Sequence, residues 1–235
     1  MMDARARPRK PPVTYSLSSK ARLTERDLER FPGTSLFDRL ARTVCHAGCL
    51  PRKELYEAWE MARRVRRLFR GGRIVDLAAG HGLLAHVLLI LDNSSPLALS
   101  VDTSLPPSSR KLHEVLVEAW PRLDGRVLFQ ERPLESVALT GDDLVVSAHA
   151  CGALADLVLD RAAAARARVA VLPCCHNLAI SDRGSLSGWV DGPLAVDVMR
   201  AVRLEQRGYR VRTQTIPAVI TLKNRLLLGE PLRNP

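Results

Sequence analysis

After Gly71-Gly72 the chain alternates short apolar runs with stretches of helical periodicity, and this alternation constrains the fold more than any other feature. The runs Arg73–Leu77, Leu97–Val101, Val127–Phe129, Leu144–Ser147 and Val169–Leu172 are interleaved with helical segments Leu83–Leu91, Ser108–Trp120, Ala153–Ala165 and Pro193–Arg207. A strand, a helix and another strand joined so closely require parallel pairing through right-handed crossovers. The last two runs, Tyr209–Ile216 and Arg225–Gly229, follow one another without a helix, which predicts a hairpin. The expected class is therefore α/β: a doubly wound, Rossmann-like sheet, mostly parallel, with five strands closed by a C-terminal β-hairpin.

The segment before Gly71 reads differently. Residues 1–20 combine Pro8, Pro11 and Pro12 with scattered Arg and Lys and are expected to be a flexible basic tail. Residues 21–70 are expected to form a helical extension, broken at Pro32-Gly33 and Pro51, and residues 71–235 the main domain. In the last predicted helix of the extension, Leu55, Ala58, Ala62, Val65 and Phe69 share one side, while Arg63, Arg66, Arg67 and Arg70 cluster on another, predicting a packed face and a positive face. The formal net charge is +10; residues 1–75 hold 18 basic and 8 acidic side chains, the remainder 17 of each. A nucleic-acid partner, RNA, would thus act through residues 1–75. The 4% aromatic content argues against base-stacking platforms of the kind non-specific single-strand binders use. Without a signal-like or membrane-spanning apolar run, and with five cysteines, an odd number, the chain is expected to be cytoplasmic, with reduced thiols and no membrane partner.

The first strand of the main domain runs Ile74-Val75-Asp76-Leu77 into Ala78-Ala79-Gly80-His81-Gly82 and then a helix. Gly80 and Gly82 allow close approach of backbone to a ligand at the carboxyl edge of a sheet. Asp102 ends the second strand, where a carboxylate accepts hydrogen bonds from a ribose diol. The spacing also fits a dinucleotide fingerprint. Asp76 argues against it, because a carboxylate at the strand tip opposes a pyrophosphate but suits an ammonium and a sulfonium. S-adenosylmethionine carries both groups and a ribose.

Two further strand ends concentrate reactive side chains: Ala148-His149-Ala150-Cys151-Gly152, with Asp156 in the next helix, and Pro173-Cys174-Cys175-His176. Three chemistries fit them. His149 is a candidate general base, imidazole titrating near neutrality. Cys151 with Cys174 or Cys175 offers a thiolate nucleophile. Zinc is the weakest of the three, since adjacent cysteines rarely both ligate and no Cys-x-x-Cys occurs, so no metal is expected. Buried cysteines acting as small hydrophobes are the competing structural explanation, and for Cys45, His46 and Cys49, in the helical N-terminal part, packing is the favoured reading.

Asp76-x-x-x-Gly80-x-Gly82, His149-Ala150-Cys151-Gly152-x-x-x-Asp156, Pro173-Cys174-Cys175 and Lys223-Asn224, with Asp197 and Arg200, together resemble the class I methyltransferase domain of glutathione S-transferase C-terminal domain-containing protein and its relatives over about residues 70–230. The His-x-Cys-Gly and Cys-Cys-His elements are also similar to tRNA acceptor-stem 2′-O-methyltransferases, although Ala148 stands where those enzymes carry Lys and their zinc fingers are missing. The resemblance implies an S-adenosylmethionine-dependent methyltransferase. Its cofactor residues would be Asp76, Gly80, Gly82, Asp102, Leu134 and His149, with Leu134 against the adenine. His149, Asp156 and Cys151 would serve catalysis, and Cys174, Cys175, His176 and Asn224 would face the substrate. RNA, a small molecule or a protein remain open as acceptors, as does a non-catalytic binding module.

Overall fold

The computed structural model describes residues 15–232; residues 1–14 of the expected basic tail lie outside them. Seven strands form one sheet: β1 (Ile74–Leu77), β2 (Ala98–Asp102), β3 (Val127–Glu131), β4 (Leu144–Ser147), β5 (Arg168–Val171), β6 (Tyr209–Thr215) and β7 (Arg225–Pro231). Their order is β3-β2-β1-β4-β5-β7-β6. The first five pair in parallel, and β7 pairs antiparallel with both β5 and β6. This is the expected Rossmann-like architecture, with strand order reversing between β1 and β4, where such sheets open a crevice for ligands.

Helices α1 (Leu36–Ala47), α2 (Arg52–Leu68), α3 (Leu83–Leu91) and α4 (Ser108–Ala119) cover one face of the sheet; α5 (Ala153–Ala164) and α6 (Gly192–Gln206) cover the other. Alternation along β1 distributes its side chains. Val75 and Leu77 join the core under α5, whereas Ile74 joins the core under α2 and α3. Asp76 therefore points, with Ile74, toward α2 and α3.

The extension is not a separate body. Leu40, Val44, Leu55, Met61 and Val65 of α1 and α2 belong to the same hydrophobic cluster as Leu83, Val87 and Leu144. Residues 15–20 are held too: the Arg52 guanidinium stacks 3.6 Å above the Tyr15 ring and donates to the Ser16 carbonyl. The positive face expected on α2 forms in part. Arg66 is only 5% exposed and donates to the carbonyls of Leu88 and Phe69 and to Ser95 Oγ, tying α2 to the end of α3. Arg63, Arg67 and Arg70 are exposed, Arg63 pairing with Glu60 as Arg64 does. A helical wheel shows which residues share a face, but not which neighbour lies against it.

Candidate active site

The turn after β1 is built on left-handed backbone: Ala78, Gly80 and Gly82 have φ of 58°, 54° and 76°. The two glycines do different work. A Cβ on Gly82 would stand 2.8 Å from Phe129 Cε1 and 3.0 Å from Ser100 Oγ, so this glycine lets α3 begin hard against the sheet. A Cβ on Gly80 would meet nothing within 4 Å, so that side of the turn faces open space. The Gly80 amide donates to Asp102 Oδ2 at 2.9 Å, and the Thr103 amide donates to Oδ1 at 2.8 Å. Asp102 thus braces the turn from the tip of β2.

Asp76 is 1% exposed, and its Oδ2 has no hydrogen-bond partner among the described residues. Burial drives its carboxyl pKa well above the ordinary carboxylate range; the Ala85 amide opposes this in part, and the charges of Asp102 and Glu54 add to it. A small cavity of about 10 Å³ opens beside it, lined by Glu54, Asp76, Ala79, Leu83 and His149 among others. Glu54 comes from the first turn of α2 and also lies 3.6 Å from His81 Nδ1. It is the site residue that sequence reasoning missed, because no local motif signals a carboxylate delivered from another element. The arrangement fits a cationic ligand with a diol. Three carboxyl groups surround the turn, one has an orphaned buried oxygen, and a glycine leaves the approach clear.

At the ends of β4 and β5 the structure brings His149, Cys151, Cys174 and Cys175 to one edge. Cys151 and Cys174 Sγ lie 2.7 Å apart, and Lys223 Nζ is 3.4 Å from Cys175 Sγ. Contact with Cys151 and with the Lys223 ammonium lowers the Cys175 pKa, whereas burial raises those of Cys151 and Cys174. Asp156 is occupied: Arg200 donates to both its oxygens, at 3.2 and 2.8 Å, and Arg203 pairs with it as well. His176 Nε2 bonds Asp197 Oδ1 at 2.8 Å, and Asp197 also binds Arg200 and Arg225. These two acids therefore anchor α6 under the loop that carries the cysteines. Asn224 closes the β6–β7 connection, its Nδ2 donating to the Ile216 carbonyl at 3.0 Å, and its neighbour Lys223 is the residue that reaches the cysteines. Leu134 is buried in the core layer with Val137 and Val158. Cys45 and Cys49 are buried among apolar neighbours, as expected, whereas His46, expected to pack with them, is exposed beside Glu25 because it lies on the outer side of α1.

A family model described as a methyltransferase domain matches residues 53–181, more than half the chain. The chain belongs to this methyltransferase-domain family. The match begins within α2, so the helix that supplies Glu54 is part of the methyltransferase domain. No curated protein sequence matches the chain. Among solved structures it is similar to an O-methyltransferase family protein from Burkholderia thailandensis (18% identity, TM-score 0.50, covering 91% of this chain and 64% of that one). It is also similar to the mitomycin 7-O-methyltransferase MmcR (18%, 0.51, 87% and 60%) and to the S-adenosylmethionine-dependent methyltransferase SibL (19%, 0.50, 90% and 66%). The chain spans less than two thirds of the length of each, and the likeness is one of fold. The methyl donor of this methyltransferase domain is S-adenosylmethionine, which the orphaned Asp76 oxygen and the open side of Gly80 suit.

Proposed function

We propose that this domain transfers a methyl group from S-adenosylmethionine to a nucleophile approaching the carboxyl ends of β4 and β5. The observation that carries this reading is the buried, half-partnered carboxyl of Asp76 beside Glu54 and Asp102 at a glycine turn. When bound, the cofactor supplies an electrophilic methyl carbon on a cationic sulfur. Asp76 and Glu54 hold its ammonium end, and Asp102 takes its ribose hydroxyls with the lone pairs that Gly80 and Thr103 leave free. Most of the acceleration comes from holding the acceptor in line with the methyl carbon. His149, at the rim of the Asp76 cavity, accepts the proton when the acceptor is a hydroxyl or an amine.

The acceptor class proposed is RNA. In its support, Lys20 and, in the extension, Arg22, Arg26, Arg67 and Arg70 are exposed and make no salt bridge among the described residues, and the likeness to tRNA acceptor-stem 2′-O-methyltransferases points the same way. Incubating wild type and His149→Ala with radiolabelled cofactor and fractionated cell extract tests both levels. Label in RNA that His149→Ala fails to transfer is the expected result. Label in protein or small molecules would replace the RNA assignment, and no label in any fraction would leave a binding module.

A further inference from the structure

We infer that Cys151, Cys174 and Cys175 form a site for one thiophilic d¹⁰ metal ion, Zn²⁺ being the representative, at the carboxyl ends of β4 and β5. Their three Sγ atoms all lie within 4.8 Å of one another. Zinc holds sulfur at about 2.3 Å, so two thiolates on one tetrahedral ion stand about 3.8 Å apart, and a single ion spans this trio. The closest pair, at 2.7 Å, would open by about 1 Å around it.

Adjacent cysteines such as Cys174 and Cys175 point to opposite faces when they lie in a strand, which disfavours joint ligation. β5 ends at Val171, and residues 172–177 are irregular, so that alternation does not apply and both sulfurs turn toward Cys151. The scaffold is fixed on both sides. The Gly152 amide donates to the Cys175 carbonyl at 3.1 Å, tying the two strand ends together, and His176 is pinned to Asp197. A disulfide would use two of the sulfurs and leave the third unexplained; an ion uses all three. Charge also balances. Binding Zn²⁺ to three thiols releases three protons and leaves the site one unit negative, with the Lys223 ammonium 3.4 Å from Cys175 Sγ. Three protein ligands leave a fourth position for water or an acceptor atom, and Cys151 is exposed to solvent.

The test uses the full chain, reduced with a thiol-free phosphine, loaded with Zn²⁺ and passed through gel filtration. Wild type and Cys45→Ala are expected to retain one zinc per chain by elemental analysis and native mass spectrometry, and Cys151→Ser/Cys174→Ser/Cys175→Ser to retain none while still melting cooperatively. Substituting Co²⁺ should give a sulfur-to-cobalt charge-transfer band in wild type and Cys45→Ala but not in the triple variant, and zinc should shield all three thiols from alkylation until a chelator is added. Wild-type metal content no higher than that of the triple variant, or a Cys151–Cys174 disulfide in the reduced, zinc-loaded protein, would overturn the site. A parallel cofactor titration keeps the two readings apart: zinc lost with cofactor binding intact counts against this site alone, and the reverse counts against the methyl-transfer reading alone.

Discussion

Asp76 shows how one buried side chain ties fold to function. Burial disfavours the charged form of its carboxyl, so the uncharged isostere Asp76→Asn should change stability by less than about 1 kcal/mol, while weakening S-adenosylmethionine binding by at least about tenfold. Denaturant melts and calorimetry measure the two separately; equal losses in both would mean that Asp76 only supports the core. Cofactor affinity should rise from acid toward neutral pH, because a cation favours the ionised carboxylate that burial disfavours. For folding the sign is opposite. A carboxyl whose pKa is raised in the fold contributes stability below its unfolded value and loses it as pH climbs toward the folded one. The glycines should separate likewise. Gly82→Ala, with its Cβ driven against Phe129, should cost about 1–3 kcal/mol of stability. Gly80→Ala meets no protein atom within 4 Å, so beyond the roughly 1–2 kcal/mol that its left-handed backbone costs any β-carbon, its effect should fall on cofactor binding. At this scale the sequence disclosed Asp76, Gly80, Gly82 and Asp102, because all four sit on one strand–turn–helix unit and its neighbouring strand end. Glu54 was illegible because it arrives from α2, and adjacency in sequence hid the convergence of Cys174 and Cys175.

Among elements, the docking of α6 on α5 and β7 rests on a buried charge network. Arg200 is fully buried between Asp156 and Asp197 and also donates to the Gly152 carbonyl. Replacing it with Ala leaves two half-buried carboxylates without their shared partner and should cost about 3–5 kcal/mol, read from chemical denaturation. Burial works against the charged Asp156, but the hydrogen bonds and charge of Arg200, then those of Arg203, outweigh it and hold its pKa below the ordinary range. Its contribution to stability is therefore present above the unfolded carboxylate pKa and lost as pH falls through the folded value. A second acid-sensitive joint lies between α3 and α4. Burial lowers the pKa of His86 to about 4, despite its hydrogen bond to the Gly82 carbonyl, and its other ring nitrogen meets His113. The unfolded chain protonates it near pH 6.5 and the folded chain does not, which should remove on the order of 3 kcal/mol as pH falls from there to about 4. A His86→Phe variant whose melting temperature falls just as steeply over that range would show that another group is responsible. The elements themselves were legible, since periods of 2 and 3.6 are local. Their partners were not: Asp156 was expected at the reaction edge, and its guanidinium partners lie more than forty residues away in sequence.

Over the whole molecule, the charge that first suggested nucleic acid is redistributed by folding. Arg39, Arg42, Arg52, Arg66 and Arg73 are spent on backbone carbonyls and internal carboxylates, so only part of the excess in residues 1–75 is available to a partner. If RNA is the acceptor, log affinity should fall linearly with log salt. Arg67→Ala/Arg70→Ala should then reduce that slope by about 1–2, a change an electrophoretic mobility series resolves. A slope unaltered by the pair would remove α2 from the RNA surface. The helical extension, although distinct in sequence, shares the core of the sheet and delivers Glu54 to the cavity beside Asp76, so deleting residues 1–70 would unmake the proposed site as well as the charge. The central claim, that the glycine turn and its acids hold S-adenosylmethionine, is tested most directly by calorimetric titration of the cofactor into wild type and Asp102→Ala. Wild type is expected to bind one cofactor per chain saturably, and the variant to lose that binding at unchanged fold. Undiminished binding by Asp102→Ala would contradict it.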